Sequence, residues 1–546
     1  MKVISDAIQQ VVKDMGGTIN ADIMLTRPEP QFGDLSCNVA MQLSKQLQKN
    51  PREIAEQIAQ SLKNVAEIKE VSVAGPGFLN ITLADSVLVG MLEATPARAD
   101  KTVVIETNNP NPFKAMHIGH AYNAIIADTI ANLIENQGNH VYRVSYHGDV
   151  GLHVGRSMHA LLRYIDGDVA KLDEINPSER NTFMSRMYAE GSRAYKEDED
   201  AKVAINELAK QSFTREDPTY AAVYDTIFAW SFEEIATNVA RLGNKPVEKK
   251  FLESDADARG VQIVRGHTPG VFEESDGALI FRGSDHGGFD NVFVGSNGLG
   301  LYGARDVGLI ALKREQYHPD KSYIVTAEEQ KDYFKGVLAA AALITPDEID
   351  VTTNISTGTV KLTSGKMSSR DGDVIEIGWL FEQIAEAIKA RGGEVTDDVV
   401  AGALRYAFLR VRIGGDVVFD INESVSIQGN SGPYLQYAHA RASSILAKTS
   451  SIPETAPDGD FDTTERALLQ KLTEYTEVVE KATNELLPHT ICNYLYELSQ
   501  AFNHFYEHAK VIGDDRESTR LWLVEKYRST LAGGLEILGI VAPERL

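Results

Sequence analysis

Cysteine is nearly absent from this chain of 546 residues: Cys37 and Cys492 are its only two, and they stand far apart. That excludes a disulfide framework and gives no sign of structural zinc, so a reducing, cytoplasmic setting is expected. Long apolar runs are missing as well. The longest clear one, Val337 to Ile344, falls short of the ~18 residues a membrane span needs. The opening MKVISDAIQQVVKDMGG has a helical apolar period with acidic residues among it, unlike a secretion signal. No internal repeat or low-complexity tract interrupts the chain, and its length suggests about three domains. Positive charge is in deficit: 54 Lys and Arg against 78 Asp and Glu leave a net charge of −24. Indiscriminate nucleic-acid binding, which phosphate neutralisation drives, is therefore disfavoured. A specific nucleic-acid partner requires basic residues gathered on one face. The run Lys196 to Asp200 reads as a solvated acidic loop.

What is present is most informative between Asn109 and His120, NPNPFKAMHIGH. The preceding Lys101–Glu106 is a short β-branched run, as a buried parallel strand should be. Ala121 to Gln137 lacks proline and glycine and carries Ile126, Ile130, Leu133 and Ile134 at helical spacing. Gly138 supplies a stop, and His140 to Tyr146 reads as the next strand, so the unit is βαβ. A helix N-terminus leaves N–H groups unpaired and receives phosphate. Imidazole donors at His117 and His120 reach phosphate oxygens from there, and Gly119 lets a ring lie close to the backbone.

A second element lies far downstream, Gly365-Lys-Met-Ser-Ser-Arg370, with Asp371-Gly-Asp373 after it, and it reads as a mobile loop. A lysine there offsets triphosphate charge during in-line attack. HIGH paired at long range with KMSxx resembles the signature of class I aminoacyl-tRNA synthetases. That resemblance implies ATP contacts at His117, Gly119, His120, Lys366, Met367 and Ser368.

The resemblance sharpens to the arginyl-tRNA synthetases and covers almost the whole chain. Gly33-Asp34, Asn38–Met41, Asn50–Ala55 and Gly75–Asn80 are similar to that family's tRNA-elbow-binding module. Gly148-Asp-Val-Gly151 resembles its GDWG, with Val150 in place of tryptophan. Tyr434–Arg441, YLQYAHAR, resembles the entry to its anticodon-binding domain, and Leu538–Arg545 resembles its close. The implied fold is a class I Rossmann-like α/β catalytic domain with a parallel sheet. A small α/β domain precedes it and an all-α anticodon-binding bundle comes after it. The expected boundaries are 1–93, 99–420 with a helical insertion over about 156–250, and 430–546. Leu468, Leu472, Tyr475 and Val479 mark one helical stripe of the bundle, and Ile491, Leu495, Leu498, Phe502 and Phe505 another.

The arginine site has a physical rationale as well. Guanidinium is planar and permanently charged, so it calls for a carboxylate that accepts two parallel bonds and for a flat wall. Tyr302 and Asp306 stand four apart at a helix start and match the family's pair. Gln330, Asn109, Pro110, Asn111 and His120 match further arginine contacts, and Glu106 is a second carboxylate candidate. The resemblance implies arginine activation by Mg-ATP, transfer to tRNA(Arg), a need for bound tRNA before activation, and a monomer. His117, His120, Lys366 and Lys114 are the expected catalytic group; Lys114 would supply a charge that the loop lacks where Ser369 replaces a second lysine. Tyr434, Tyr437, Arg441 and Trp522 are the expected tRNA contacts. No resident metal is implied beyond the Mg2+ that accompanies ATP. Three other readings stay open: a nucleotidyltransferase or small acyl-adenylate synthetase, a non-catalytic tRNA-binding paralogue, and a class I synthetase of another specificity.

Overall fold

Five parallel strands organise the larger part of the computed structural model, which describes residues 2–18, 23–93, 98–346, 351–363, 375–457 and 459–546. They are β1 (Thr102–Glu106), β2 (His140–His147), β3 (Lys249–Leu252), β4 (Lys321–Ala327) and β5 (Thr352–Thr357). Their order across the sheet is β3-β2-β1-β4-β5, with every neighbouring pair parallel. Val103, Val104 and Ile105 of β1 are all buried, because a central parallel strand is covered on both faces. The order reverses direction between β1 and β4. In such a sheet the crevice outside the strands' C-terminal ends at that switch point is where ligands bind.

The helices that frame the crevice are α1 (Ile118–Asn136), α2 (Glu253–Gly266), α3 (Tyr302–Tyr317), α4 (Lys331–Ile344) and, further on, α5 (Asp397–Leu409). The α1 helix is apolar nearly all round because it is enclosed nearly all round. Its Asp128, fully buried, is bonded by Arg405 of α5 at 2.9 Å. The same guanidinium donates to the carbonyls of Leu242 and Leu538 at 3.0 and 2.7 Å, so a fully buried cation is satisfied on several sides. Helices α2 and α3 touch backbone to backbone. A Cβ on Gly260 would fall 1.8 Å from the Ala304 carbonyl, and one on Gly308 2.1 Å from that of Ala256. No residue but glycine fits at either position, and the approach brings the first turn of each helix against the second turn of the other.

This unit comprises residues 97–440, 479–493 and 532–546. The insertion between β2 and β3 is helical, with Leu152–Ile165, Arg180–Glu197, Glu199–Thr214 and Pro218–Arg241 around a core of Val154, Met158, Leu161, Tyr220 and Tyr224.

The second unit comprises residues 1–96, 441–478 and 494–531. It holds a four-stranded antiparallel sheet in which Ile68–Ala74 and Phe78–Leu83 form a hairpin around Gly75-Pro-Gly77. Asn50 caps the helix Pro51–Leu62 through the Arg52 N–H, with proline at the first position. Asp34 and Asp85, both buried, bind Arg466 at 2.7 and 2.9 Å, and Arg27 holds Glu477 by two bonds of 2.9 Å. The first module and part of the helical C-terminal stretch therefore share one core. The stripe from Leu468 to Val479 is not one helix: a turn at Thr473-Glu474 separates Thr463–Leu472 from Tyr475–Asn484. Trp522 needs correction too. It is 1% exposed among Leu521, Leu523 and Val524, so it belongs to the core and offers no face to a base. Phe505 is likewise fully buried. Among the described residues no helix is long and apolar enough to cross a membrane.

Candidate active site

The chain leaving β1 is stitched to the end of β2 before it reaches the histidines. Asn109 accepts the Tyr146 N–H at 2.8 Å and donates to Glu106 at 2.8 Å. Pro110 offers its carbonyl to His147 Nδ1 at 2.7 Å, and Asn111 accepts the Gly148 N–H at 2.9 Å. Phe113 then takes a positive φ of 66°, unusual for a bulky residue, and is fully buried in the insertion's core. Ser231 and Ser157 bond its N–H and carbonyl at 3.0 and 2.8 Å. The insertion thus fixes the loop that delivers Lys114 to the helix start.

At that start the two histidines cap each other. His117 Nδ1 accepts the His120 N–H at 3.4 Å, His120 Nδ1 accepts the His117 N–H at 3.3 Å, and the rings stack 3.6 Å apart. Burial, with Lys114 close by, lowers His117 to about 4. Burial, then His117 and Lys114, holds His120 well below its ordinary value. Both rings are neutral at pH 7. An Nδ1 that accepts carries no hydrogen, so the bonding pattern assigns each proton to Nε2 and leaves two outward donors. Gly119 has a further purpose: a Cβ there would lie 3.2 Å from the His117 ring.

The residues of the KMSSR loop, Lys366, Met367 and Ser368 among them, lie outside the described residues. The segment from Ile375 to Ile377, just beyond the loop, is bonded to the HIGH motif itself. Ile118 N–H donates to the Ile375 carbonyl at 2.9 Å and Ile377 N–H to that of Met116 at 3.0 Å. His117 and Glu376 form a β-bridge.

The other wall is charged. At the crevice between β1 and β4, Glu106, Asn109, His120, Asn123 and Val325 line a small cavity. Glu106 is buried and bonded by Lys313 Nζ at 2.6 Å, so this candidate carboxylate already has a cation. Arg305 bridges Glu253 and Asp257 at 3.0 and 3.1 Å. Asp306, on the next position of α3, accepts a hydrogen bond from the Tyr333 hydroxyl of α4. Burial raises its carboxyl to about 7, with Glu106 and Glu253 adding to the rise against the Tyr333 bond and Lys313. Among the described residues Asp306 has no ion-pair partner. Four carboxylates (Glu106, Glu253, Asp257, Asp306) thus face two cations (Lys313, Arg305), an imbalance that suits a cationic ligand.

Tyr302 begins α3 and is 69% exposed, with the Arg305 guanidinium 5.7 Å from its ring centre. Gln330 is exposed in the short turn after β4. Of the expected tRNA contacts, Tyr437 is exposed, Tyr434 is half-buried, and Arg441 stacks over Tyr506 at 4.5 Å. Sequence reasoning missed Tyr333 and Lys313. Each carried a signal: Lys313 is seven residues from Asp306, on the same helical face, and Tyr333 is three from Gln330.

Known proteins bear on this geometry. The family description "tRNA synthetases class I (R), catalytic domain" matches residues 83–401, more than half of the chain. The chain belongs to the arginyl-tRNA synthetase family. "Arginyl tRNA synthetase N terminal domain" matches residues 2–83 and "DALR anticodon binding domain" residues 435–546. An arginine–tRNA ligase of Hyphomonas neptunium is 30% identical over 564 residues, 95% of each chain. One of Mannheimia succiniciproducens is 28% identical, covering 100% of this chain and 99% of its own. The arginyl-tRNA synthetase of Thermus thermophilus superposes over 100% of both chains with a TM-score of 0.79 at 25% identity.

Proposed function

We propose that the chain is an arginine–tRNA ligase, and the observation that carries this reading is Asp306. It is a half-buried carboxylate with no ion-pair partner among the described residues, close enough to Glu106 at the end of β1 to feel its charge. The substrate's guanidinium supplies the missing charge and donates two parallel N–H bonds to Asp306, beside the ring of Tyr302. Gln330, Asn111 and His120 complete the arginine site. Asn109, Pro110 and Glu106 shape it, since their polar atoms are bonded within the protein.

The arginine carboxylate attacks the α-phosphorus of ATP in line. An adenylate forms and pyrophosphate leaves. A hydroxyl of the terminal tRNA ribose then attacks the adenylate carbonyl, and AMP leaves. Neither step needs a protein nucleophile, so the protein positions groups and stabilises charge. The Nε2–H groups of His117 and His120 donate to phosphate oxygens over Gly119. Lys114 offsets charge from one side and Lys366 from the loop that also carries Met367 and Ser368. Mg2+ enters with the phosphates of ATP.

The chain divides into three functional regions, 1–93 for the tRNA elbow, 99–420 for catalysis and 430–546 for the anticodon, where Tyr437, Tyr434 and Arg441 meet tRNA(Arg). The enzyme works as a monomer in the cytoplasm. The test is pyrophosphate exchange with each of the twenty amino acids, with and without tRNA. Arginine alone should support exchange, and only with cognate tRNA. Strong exchange with another amino acid would end the specificity reading, and strong tRNA-free exchange would contradict the tRNA requirement that the family implies.

A further inference from the structure

One residue before the end of β2 stands a tyrosine whose hydroxyl has no hydrogen-bond partner among the described residues. Tyr146 shares a face of β2 with Tyr142 and Val144 and packs on the cluster of Val104, Val144, Phe251, Ala256 and Leu309, beneath α2 and α3. Its own N–H is fixed by Asn109 at 2.8 Å, so the ring is set by the same loop that shapes the arginine site. The hydroxyl oxygen is buried and has no hydrogen-bond partner among the described residues. The charges it feels most are Asp306 and Glu253, then Arg305 and Glu106; burial beside these carboxylates raises it well above its ordinary value, so it stays protonated. Buried hydroxyls normally find a partner, and one left bare beside a cation site points to a partner that arrives with the ligand.

Guanidinium carries five N–H donors in a rigid planar fork. Asp306 accepts two of them side by side, and the rest need acceptors of their own. We infer that the Tyr146 hydroxyl oxygen accepts one N–H of the substrate's guanidinium, which makes Tyr146 a specificity-determining residue of the arginine site. The arrangement reads shape as well as charge. An ammonium, whose donors radiate from one nitrogen, cannot serve a carboxylate and a phenol from the separate arms of a fork. The inference rests on the reading of Asp306 as the guanidinium's partner.

The test is Tyr146→Phe in the full-length enzyme, assayed by arginine-dependent pyrophosphate exchange with cognate tRNA and by thermal unfolding. The arginine KM should rise ~10-fold for the loss of one acceptor from a buried donor. The ATP KM should stay within about twofold, and Tm should hold or rise, because the free protein loses no hydrogen bond. An unchanged arginine KM overturns the inference. So does an equal rise in both KM values or a fall in Tm, since each marks a merely structural ring. Asp306→Asn, run in parallel, separates the two readings. If it leaves the arginine KM unmoved, the Asp306 assignment falls and this one with it. If it raises that KM while Tyr146→Phe does not, only the tyrosine assignment is wrong.

Discussion

On the HIGH side of the crevice, two imidazoles are kept neutral by burial and hold each other through their Nδ1 atoms. On the α3 side, carboxylates outnumber cations, and among the described residues the Asp306 carboxyl is bonded only to a phenol. On the proposed reading the two halves await ligands of opposite charge, and they prepare differently. ATP brings its negative charge with it, so its half needs donors that cost little to bury while the site is open. Neutral Nε2–H groups meet that need. Arginine brings a cation, so its half must keep an anion ready. It does so by pairing Glu106 with Lys313 and Glu253 with Arg305, and by leaving Asp306 with a carboxyl poised near pH 7. Neutral donors on one side and an uncompensated carboxylate on the other let each ligand find its half.

Asp306→Asn breaks the contrast most sharply. It keeps the shape and removes the charge. Leaving a buried cation without its partner typically costs ~3–5 kcal/mol, so the arginine KM should rise by at least two orders of magnitude while the ATP KM barely moves. Steady-state exchange kinetics in both substrates decide it. A joint fall in both affinities would mean that the halves are not independent.

Lys114→Ala strikes the other side. With Ser369 in place of a second loop lysine, Lys114 is left as the lysine whose charge lowers both histidines. Its loss should lower kcat for exchange by ~10²-fold, the usual scale for one transition-state stabiliser, with the arginine KM unchanged. Ser369→Lys in that background should recover part of the loss. A Lys114→Ala enzyme of normal rate would leave Lys114 with no part in catalysis.

Much of this contrast is legible in the sequence, and the remainder is hidden for physical reasons. The strand before Asn109 and the helix after His117 are local patterns that periodicity reveals, while Tyr302 and Asp306 are legible through their resemblance to the family's pair. The partners of Asp306 are not local. That Tyr333 reaches it across from α4, while Lys313 turns to Glu106 instead, depends on how α3 packs against α4 and β1, which no single segment encodes. The positive φ of Phe113 is imposed by the insertion that clamps it. Trp522 misleads because an aromatic on a helix says nothing of its side until the flanking Leu521, Leu523 and Val524 are seen inside.

A pH series sharpens the contrast with a smaller effect. The Asp306 carboxyl sits near 7 in the free protein, and a guanidinium binds only its ionised form. As pH falls below that value, a growing fraction must lose a proton to bind, and the arginine KM should rise by up to about tenfold per pH unit. About one pH unit above that value and beyond, it should be flat. The histidines cannot produce this limb, because His117 titrates only at about 4 and His120 also lies well below its ordinary value. Glu234 is a competitor: burial, with Glu376 near, raises it to about 7. Glu376, however, bridges to His117, so a Glu234 effect belongs on the ATP side. Asp306→Asn should abolish the arginine limb, and its survival in that variant would move the titration elsewhere.

The smallest effect asks what Gly119 is for. If the glycine exists so that adenine can lie on bare backbone, alanine should obstruct ATP outright. The geometry favours a gentler role. An added Cβ would meet the His117 ring at 3.2 Å, close enough to push it by a few tenths of an ångström. That ring is held by long hydrogen bonds and a stack, so it can yield. A ring pushed slightly off its preferred rotamer costs ~0.5–1 kcal/mol, which predicts a rise in ATP KM of roughly two- to fivefold for Gly119→Ala. Alanine is at the same time the better helix former, by up to ~1 kcal/mol in the first turn of α1, so Tm should rise. The two readouts move in opposite directions, and the arginine KM should not move at all. A loss of ATP binding beyond about a hundredfold would restore the adenine role, since displacing one imidazole donor does not account for it.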